Sequence, residues 1–412
     1  MDRRSIEVAK LTTFNILAYS FLVYNNSTLV YYNTPFILTY FLGSNNLIYF
    51  TYLSVVISFV GRILGANYLA RIGDRYSRKF LTRISSIGSC LPLIFITLLP
   101  QSPSSLIAFL FLYFFQGLFT GGLTGGLNVI GLENLEEKHR GWFSGTGISV
   151  GGFSYLIVTI VYYIIVEIVG LENYVEVGWK ISFATSILIV IFSFLMPESI
   201  KQLRKGRETR SREIRISKYR KELLYATGVV IVFSSLNLLA QAILPNFLYY
   251  VNKIEGIELN TLMLYYSLVA IPSGFLGGLL SEFIGRKRSF LIGSLISPLG
   301  SLCYFILGNM NNYTFVLISV VIISFTLNFG GGGVMAFVNE NFPVEVRSTG
   351  VALSWSLGWF SGSIVVLLNT FLVSVFGLSF PIIVSLSILC FSIAGIILSF
   401  IVPETKGNLD KM

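Results

Sequence analysis

Charge is what this sequence has least of. Only 12% of its 412 residues are Asp, Glu, Lys or Arg, about half the share of a soluble domain, which excludes an ordinary water-facing surface. There is one histidine, His139, in a loop, and three cysteines, Cys90, Cys303 and Cys390, all inside apolar runs. They are expected as free, buried thiols that pack as small hydrophobes, and no metal centre is expected. A phosphate-cradling Gly-x-x-x-x-Gly-Lys-Ser/Thr loop is missing. So are the short alternating segments of a β-barrel. The apolar runs contain no acid pair or nucleophile cluster, so enzyme chemistry and cofactors are not expected.

What remains is apolar: 54% hydrophobic residues and a mean hydropathy of +0.76. The runs are long enough for the roughly 20 residues of a spanning helix. They predict spans at 11–38, 47–70, 84–99, 106–131, 142–166, 179–196, 223–251, 260–281, 289–309, 314–338, 349–376 and 380–402, called spans 1 to 12 below. The run after Met1-Asp2-Arg3-Arg4 is too long for a signal-peptide core, lacks a small-residue cleavage site and is read as span 1. The expected fold class is an all-α membrane protein of twelve transmembrane helices.

The net charge of +9 is a topology signal. Of the 29 Lys and Arg, 26 fall on the side that holds both chain ends and the central polar stretch. By the positive-inside rule that side is cytoplasmic, which predicts a multi-pass protein of the cell membrane and no nucleic-acid partner. Residues 197–222 hold ten Lys or Arg and read as a basic linker or an amphipathic helix lying on anionic lipid. They divide the chain into a six-helix bundle at 1–196 and another at 223–412.

The halves echo each other. Asp74-Arg75-Tyr76-Ser77-Arg78-Lys79 follows span 2, and Glu282-Phe283-Ile284-Gly285-Arg286-Lys287 follows span 8, at an offset of 208. Glu133 before Arg140 and Glu340 before Arg347 repeat at 207, and Pro197-Glu198-Ser199 and Pro403-Glu404-Thr405 at 206. Three charged signatures in one order at offsets of 206–208 indicate parallel internal repeats, a transporter architecture.

On these residues the chain resembles the major facilitator superfamily. The stretch after span 2 is similar to its loop signature Gly-x-x-x-Asp-Arg-x-Gly-Arg-Lys, with Ala70 and Ser77 in place of the two glycines. Arg62 through Gly65, Gly73-Asp74-Arg75, Arg78-Lys79, Gln116-Gly117, Gly121-Gly122 and Gly125-Gly126 resemble the metabolite:proton symporter family. The Pro-Glu-Ser/Thr segments, Gln241, Asn246 and Tyr250 resemble the sugar porters. The resemblance implies the major facilitator fold of two pseudo-symmetric bundles and a solute carrier working by alternating access. It implies that Asp74 meets the N-terminal amides of a helix in the other half. Arg78, Glu133 and Arg140 would form one gating network, and Glu282, Arg286, Glu340 and Arg347 its counterpart. Arg75, Lys79, Lys287, Glu198 and Glu404 would flank them. As exposed pairs, each would contribute about 0–1 kcal/mol, a bias rather than a lock.

Polar side chains at mid-span are costly and therefore informative. Asn25, Asn26, Arg62, Gln116, Asn237, Gln241, Asn246, Tyr250, Asn328 and Trp355 are the candidate solute contacts, with hydrogen bonding between helices as the alternative for each. Trp355 and Trp359, four residues apart, could stack a ring or pack against lipid. Arg62 lies 12 residues before Asp74, about 18 Å along a helix, so it binds a solute carboxylate or neighbouring helices. None of the 20 acids falls at mid-span, which leaves a coupling proton in question beside exchange and facilitated diffusion. The expected partners are a small organic solute, either a metabolite carboxylate or a sugar, and the lipid bilayer, with the chain working as a monomer. A non-transporting sensor with the same fold is the alternative.

Overall fold

The computed structural model describes residues 13–14, 16–25, 33, 36–37, 39–41, 48–133, 135–195, 216–254, 256–310 and 312–410. Asn26, Glu198 and most of the basic stretch between the halves lie outside these residues. Among the described residues there is no strand, and eleven helices are long and apolar enough to cross a membrane. They follow spans 2 to 12. Span 1 is described in part, including a π-type turn at Tyr24 and Asn25.

Local chemistry sets the helix ends. Ser77, in an extended conformation, accepts from Phe80 N at 3.1 Å and starts the helix Arg78–Thr97, a side-chain N-cap. Asn312 does the same for Thr314 N at 2.9 Å before Tyr313–Phe329. Spans 5 and 11 end at Gly170 and Gly377, both with positive φ, a conformation that favours glycine.

Several spans are irregular among the described residues, span 2 breaking at Leu69 into Ile48–Tyr68 and Ala70–Arg75. Span 6 carries a 3-10 turn at Thr185–Ile187, and span 7 a π segment at Leu239–Ile243. The continuous helix expected over 314–338 is corrected: Tyr313–Phe329 and Val334–Glu340 are separate helices across Gly330, Gly331, Gly332 and Gly333. Four successive glycines are the poorest helix formers short of proline. They also let backbones meet, since a Cβ on Gly332 would lie 2.6 Å from the Gly274 carbonyl.

The two halves meet along span 5 against span 8 and span 2 against span 11. Small residues make both crossings close. A Cβ on Gly145 would sit 2.7 Å from the Gly274 oxygen, while Ala66 and Ala70 pack on Ala352. Large apolar residues such as Phe95, Ile107, Phe305 and Ile393 face outward, the surface a bilayer solvates. Cys90 and Cys303 are buried, but Cys390 is exposed. That corrects the expectation of three buried thiols, because apolar sequence alone does not distinguish the outer face of a helix from its packed face.

Candidate functional site

One end of the bundle gathers the paired charges. Span 11 is a 30-residue helix, Arg347–Phe376, whose first-turn N–H groups have no partners within the helix. Asp74, half-buried at the end of Ala70–Arg75, accepts from Ser348 N at 2.8 Å, Thr349 N at 2.9 Å and Thr349 Oγ1 at 2.6 Å. An acid of the first half thus caps a helix of the second, at the positive end of its dipole. The second half reciprocates: Glu282 accepts from the backbone N–H of Gly141, in the first turn of span 5, Arg140–Val169.

Behind these caps the charges are buried. Arg78 pairs with Glu133, and Arg347 reaches the same carboxylate at 2.6 Å. Glu133 is 3% exposed and both arginines 0%. Further guanidinium donors go to backbone carbonyls, Arg78 to Val344 at 3.0 Å and Arg347 to Phe342 at 2.9 Å. In the second half Arg286 forks onto Glu340 at 3.1 and 3.2 Å and lies 3.6 Å from Glu282. Thr405 Oγ1 donates to Glu340 at 3.0 Å. Arg140, whose charge acts on Glu340, donates to the Leu135 carbonyl at 2.9 Å. Glu404 is exposed and accepts from the N–H groups of Arg286 at 2.9 Å and Lys287 at 3.2 Å, capping span 9. Arg75 is exposed and Lys79 half-buried beside this cluster.

Two expectations are corrected here. The pairs are not exposed and individually weak; removing one partner of a buried pair leaves an uncompensated charge, a loss of about 3–5 kcal/mol. The grouping also differs, because Arg347 joins Glu133 across the halves instead of remaining with Arg286 and Glu340.

The structure gives the mid-span candidates different partners. Asn25 donates to the Ser186 carbonyl of span 6 at 3.1 Å, within its own half. Gln116 accepts from Ser58 and donates to Thr120, both at 3.1 Å. Asn237 donates to Asn328 at 2.7 Å, and Asn328 to the Tyr266 hydroxyl at 3.1 Å. Asn246 donates to Ala242 of its own helix, and Tyr250 is exposed. Gln241 is buried in the π segment.

Arg62 and Trp355 share one locus. Arg62 donates to Thr124 at 3.1 Å, and its guanidinium lies 5.2 Å from the centre of the Phe59 ring. Phe59 stacks on Trp359 at 6.4 Å, and Phe233 touches both Trp355 and Trp359. The Tyr19 hydroxyl stands among Asn128, Trp355 and the Arg62 charge. Asn128 is fully buried, and neither of its amide atoms has a hydrogen-bond partner of ordinary geometry among the described residues. Tyr19, Asn128, Tyr155 and Tyr266 are absent from the sequence-derived set. Asn128, an amide inside an apolar span, was a usable signal; the tyrosines read as aromatic packing.

A family model described as the Major Facilitator Superfamily matches residues 16–366. The chain belongs to that superfamily. Membership puts it among membrane transporters rather than enzymes, and its fold is all-α, two pseudo-symmetric bundles of apolar helices. A putative proline/betaine transporter of Staphylococcus aureus is 25% identical over 292 residues, which are 68% of this chain and 62% of that protein. The chain therefore spans less than two thirds of that relative's length. The Escherichia coli proline/betaine transporter is 22% identical over 327 residues, 73% of this chain and 64% of that one. The solved proton:xylose symporter XylE, bound to 6-bromo-6-deoxy-D-glucose, superposes with a TM-score of 0.74 at 17% identity, covering 98% of both chains. At that identity the likeness concerns the fold.

Proposed function

We propose that the chain is a carrier that moves a small carboxylate-bearing solute across the cell membrane by alternating access, the charged end being its cytoplasmic gate. One observation carries the reading: the two halves cap each other's helices reciprocally and share the buried Arg78–Glu133–Arg347 cluster at one end only of the described interface. A contact made of charges that water readily solvates can separate without leaving apolar surface exposed, as a gate must. Orientation follows from the excess of Lys and Arg on that side.

The solute class rests on the central locus. Arg62 supplies a cation and Tyr19 and Asn128 supply hydrogen bonds, with aromatic rings around them. A carboxylate fits this donor set better than a sugar, which needs acceptors as well. The proline/betaine names of the relatives favour the same class. Because no acid lies at mid-span, the solute's own gradient drives transport. The purified chain in proteoliposomes should accelerate counter-flow of a labelled carboxylate solute such as glycine betaine or proline, against a xylose control. Saturable binding of such a solute without counter-flow would instead identify a sensor.

A further inference from the structure

The span 7 helix departs from α geometry over Leu239–Ile243, and Pro245 stands just after it. Proline has no N–H, so it removes the donor that an α-helix would present to the carbonyl of Gln241 four residues earlier. The segment adopts a π turn instead, and two of its carbonyls accept from side chains. Two buried tyrosines take them. Tyr304, from span 9 of the same half, donates to the Leu239 carbonyl at 2.6 Å; Tyr155, from span 5 of the other half, donates to the Gln241 carbonyl at 2.5 Å. One turn before Tyr155, a Cβ on Gly151 would lie 2.6 Å from Gln241 Nε2, so the missing side chain makes room for the glutamine. The Tyr155 ring packs edge-on against Tyr266 at 6.0 Å, and Tyr266 is hydrogen-bonded to Asn328.

We propose that Tyr155 is a positioning residue of the transport cycle, whose hydroxyl holds the π segment of span 7 against the first half and stabilises the state closed at the charged end. This rests on the carrier reading above. Gly151 and Tyr155, on one face of span 5, grip the side chain and the carbonyl of Gln241. The grip crosses the interface along which alternating access must separate the halves, whereas the Tyr304 bond lies within one half and persists through the cycle. A polar contact to a carbonyl that Pro245 leaves without its α-helical donor is suited to breaking once per cycle, because the carbonyl can turn to water instead.

The test uses full-length protein in nanodiscs with Cys90, Cys303 and Cys390 replaced, spin-labelled at Tyr76→Cys and Phe283→Cys. These are exposed positions at the charged ends of spans 2 and 8. Inter-label distances by pulsed electron resonance report the closed and open populations. Tyr155→Phe keeps the ring and removes one hydrogen bond, and should lower the closed:open ratio roughly three- to tenfold. Gly151→Ala, which crowds Gln241, should shift it in the same direction. Tyr304→Phe should leave the distance distribution of the parent. Glu133→Gln is the reference that opens the charged end. If Glu133→Gln lengthens the distance while Tyr155→Phe and Gly151→Ala match the parent, the Tyr155 role is wrong and the carrier reading stands. Equal shifts from Tyr155→Phe and Tyr304→Phe also overturn it, because the hydroxyl would then only stabilise span 7. A single unchanging distance in every variant, Glu133→Gln included, overturns the carrier reading itself.

Discussion

Replacing Glu133 by glutamine removes the one negative charge shared by two buried guanidinium groups. In the observed state Arg78 and Arg347 both contact its carboxylate, and neither side chain reaches solvent. Glutamine keeps the shape and one acceptor oxygen but leaves two adjacent cations without their counter-ion. Breaking a buried pair in this way costs about 3–5 kcal/mol. The open state does not bear that cost, because separation of the halves hydrates both arginines. The whole penalty therefore falls on the closed:open equilibrium, and at 1.4 kcal/mol per factor of ten the ratio drops by a factor of about 10² to 4 × 10³. Cysteine accessibility at the charged end, read by a membrane-impermeant maleimide on inside-out vesicles, measures it: labelling just inside the gate should rise steeply. Uptake should fall, because a carrier resting open on one side rarely presents its site to the other. Wild-type accessibility and uptake in properly folded Glu133→Gln protein would refute the argument.

Asp74→Asn should act in the same direction but more weakly, since a half-buried carboxylate at a helix N-terminus contributes about 0.3–1 kcal/mol, rising to about 2 in sheltered geometry; the same labelling experiment should give a shift of about thirtyfold or less. Asn128→Leu should weaken solute binding by tenfold or more in a thermal-shift titration with glycine betaine or proline, while leaving the stability of the ligand-free protein unchanged or higher, because removing an unpartnered buried amide relieves a desolvation penalty of about 1–3 kcal/mol. Dissipating an imposed pH gradient should change initial uptake by less than about twofold, since no acid lies at mid-span to carry a proton; strict dependence on the gradient would assign coupling to the buried gate acids.

The spans were legible because a bilayer leaves little choice of sequence: long apolar runs separated by charge admit few other structures. The matched offsets also single out the acids and arginines that the structure gathers at one end. Their burial was not legible. Arg78 and Arg347 sit at helix ends in sequence, and only the closure of one half on the other removes them from water. The Arg347–Glu133 pairing was hidden for the same reason, since the repeat aligns Arg347 with Arg140 and suggests partners within its own half. The break in span 10 had a sequence cause in its four glycines, yet hydropathy averages across it. The π segment of span 7 was signalled by Pro245, whereas the tyrosine that meets it comes from a distant span.

The reciprocal caps carry a symmetry consequence. Asp74 of the first half meets the start of span 11, and Glu282, its equivalent, meets the start of span 5. Patch i on one half contacts patch j on the other, and j contacts i, which is the rule for two identical subunits related by a two-fold axis. Each half carries both the acid and the helix start that the other requires. One contact is thus repeated twice within a single chain, as a homodimer repeats it between two.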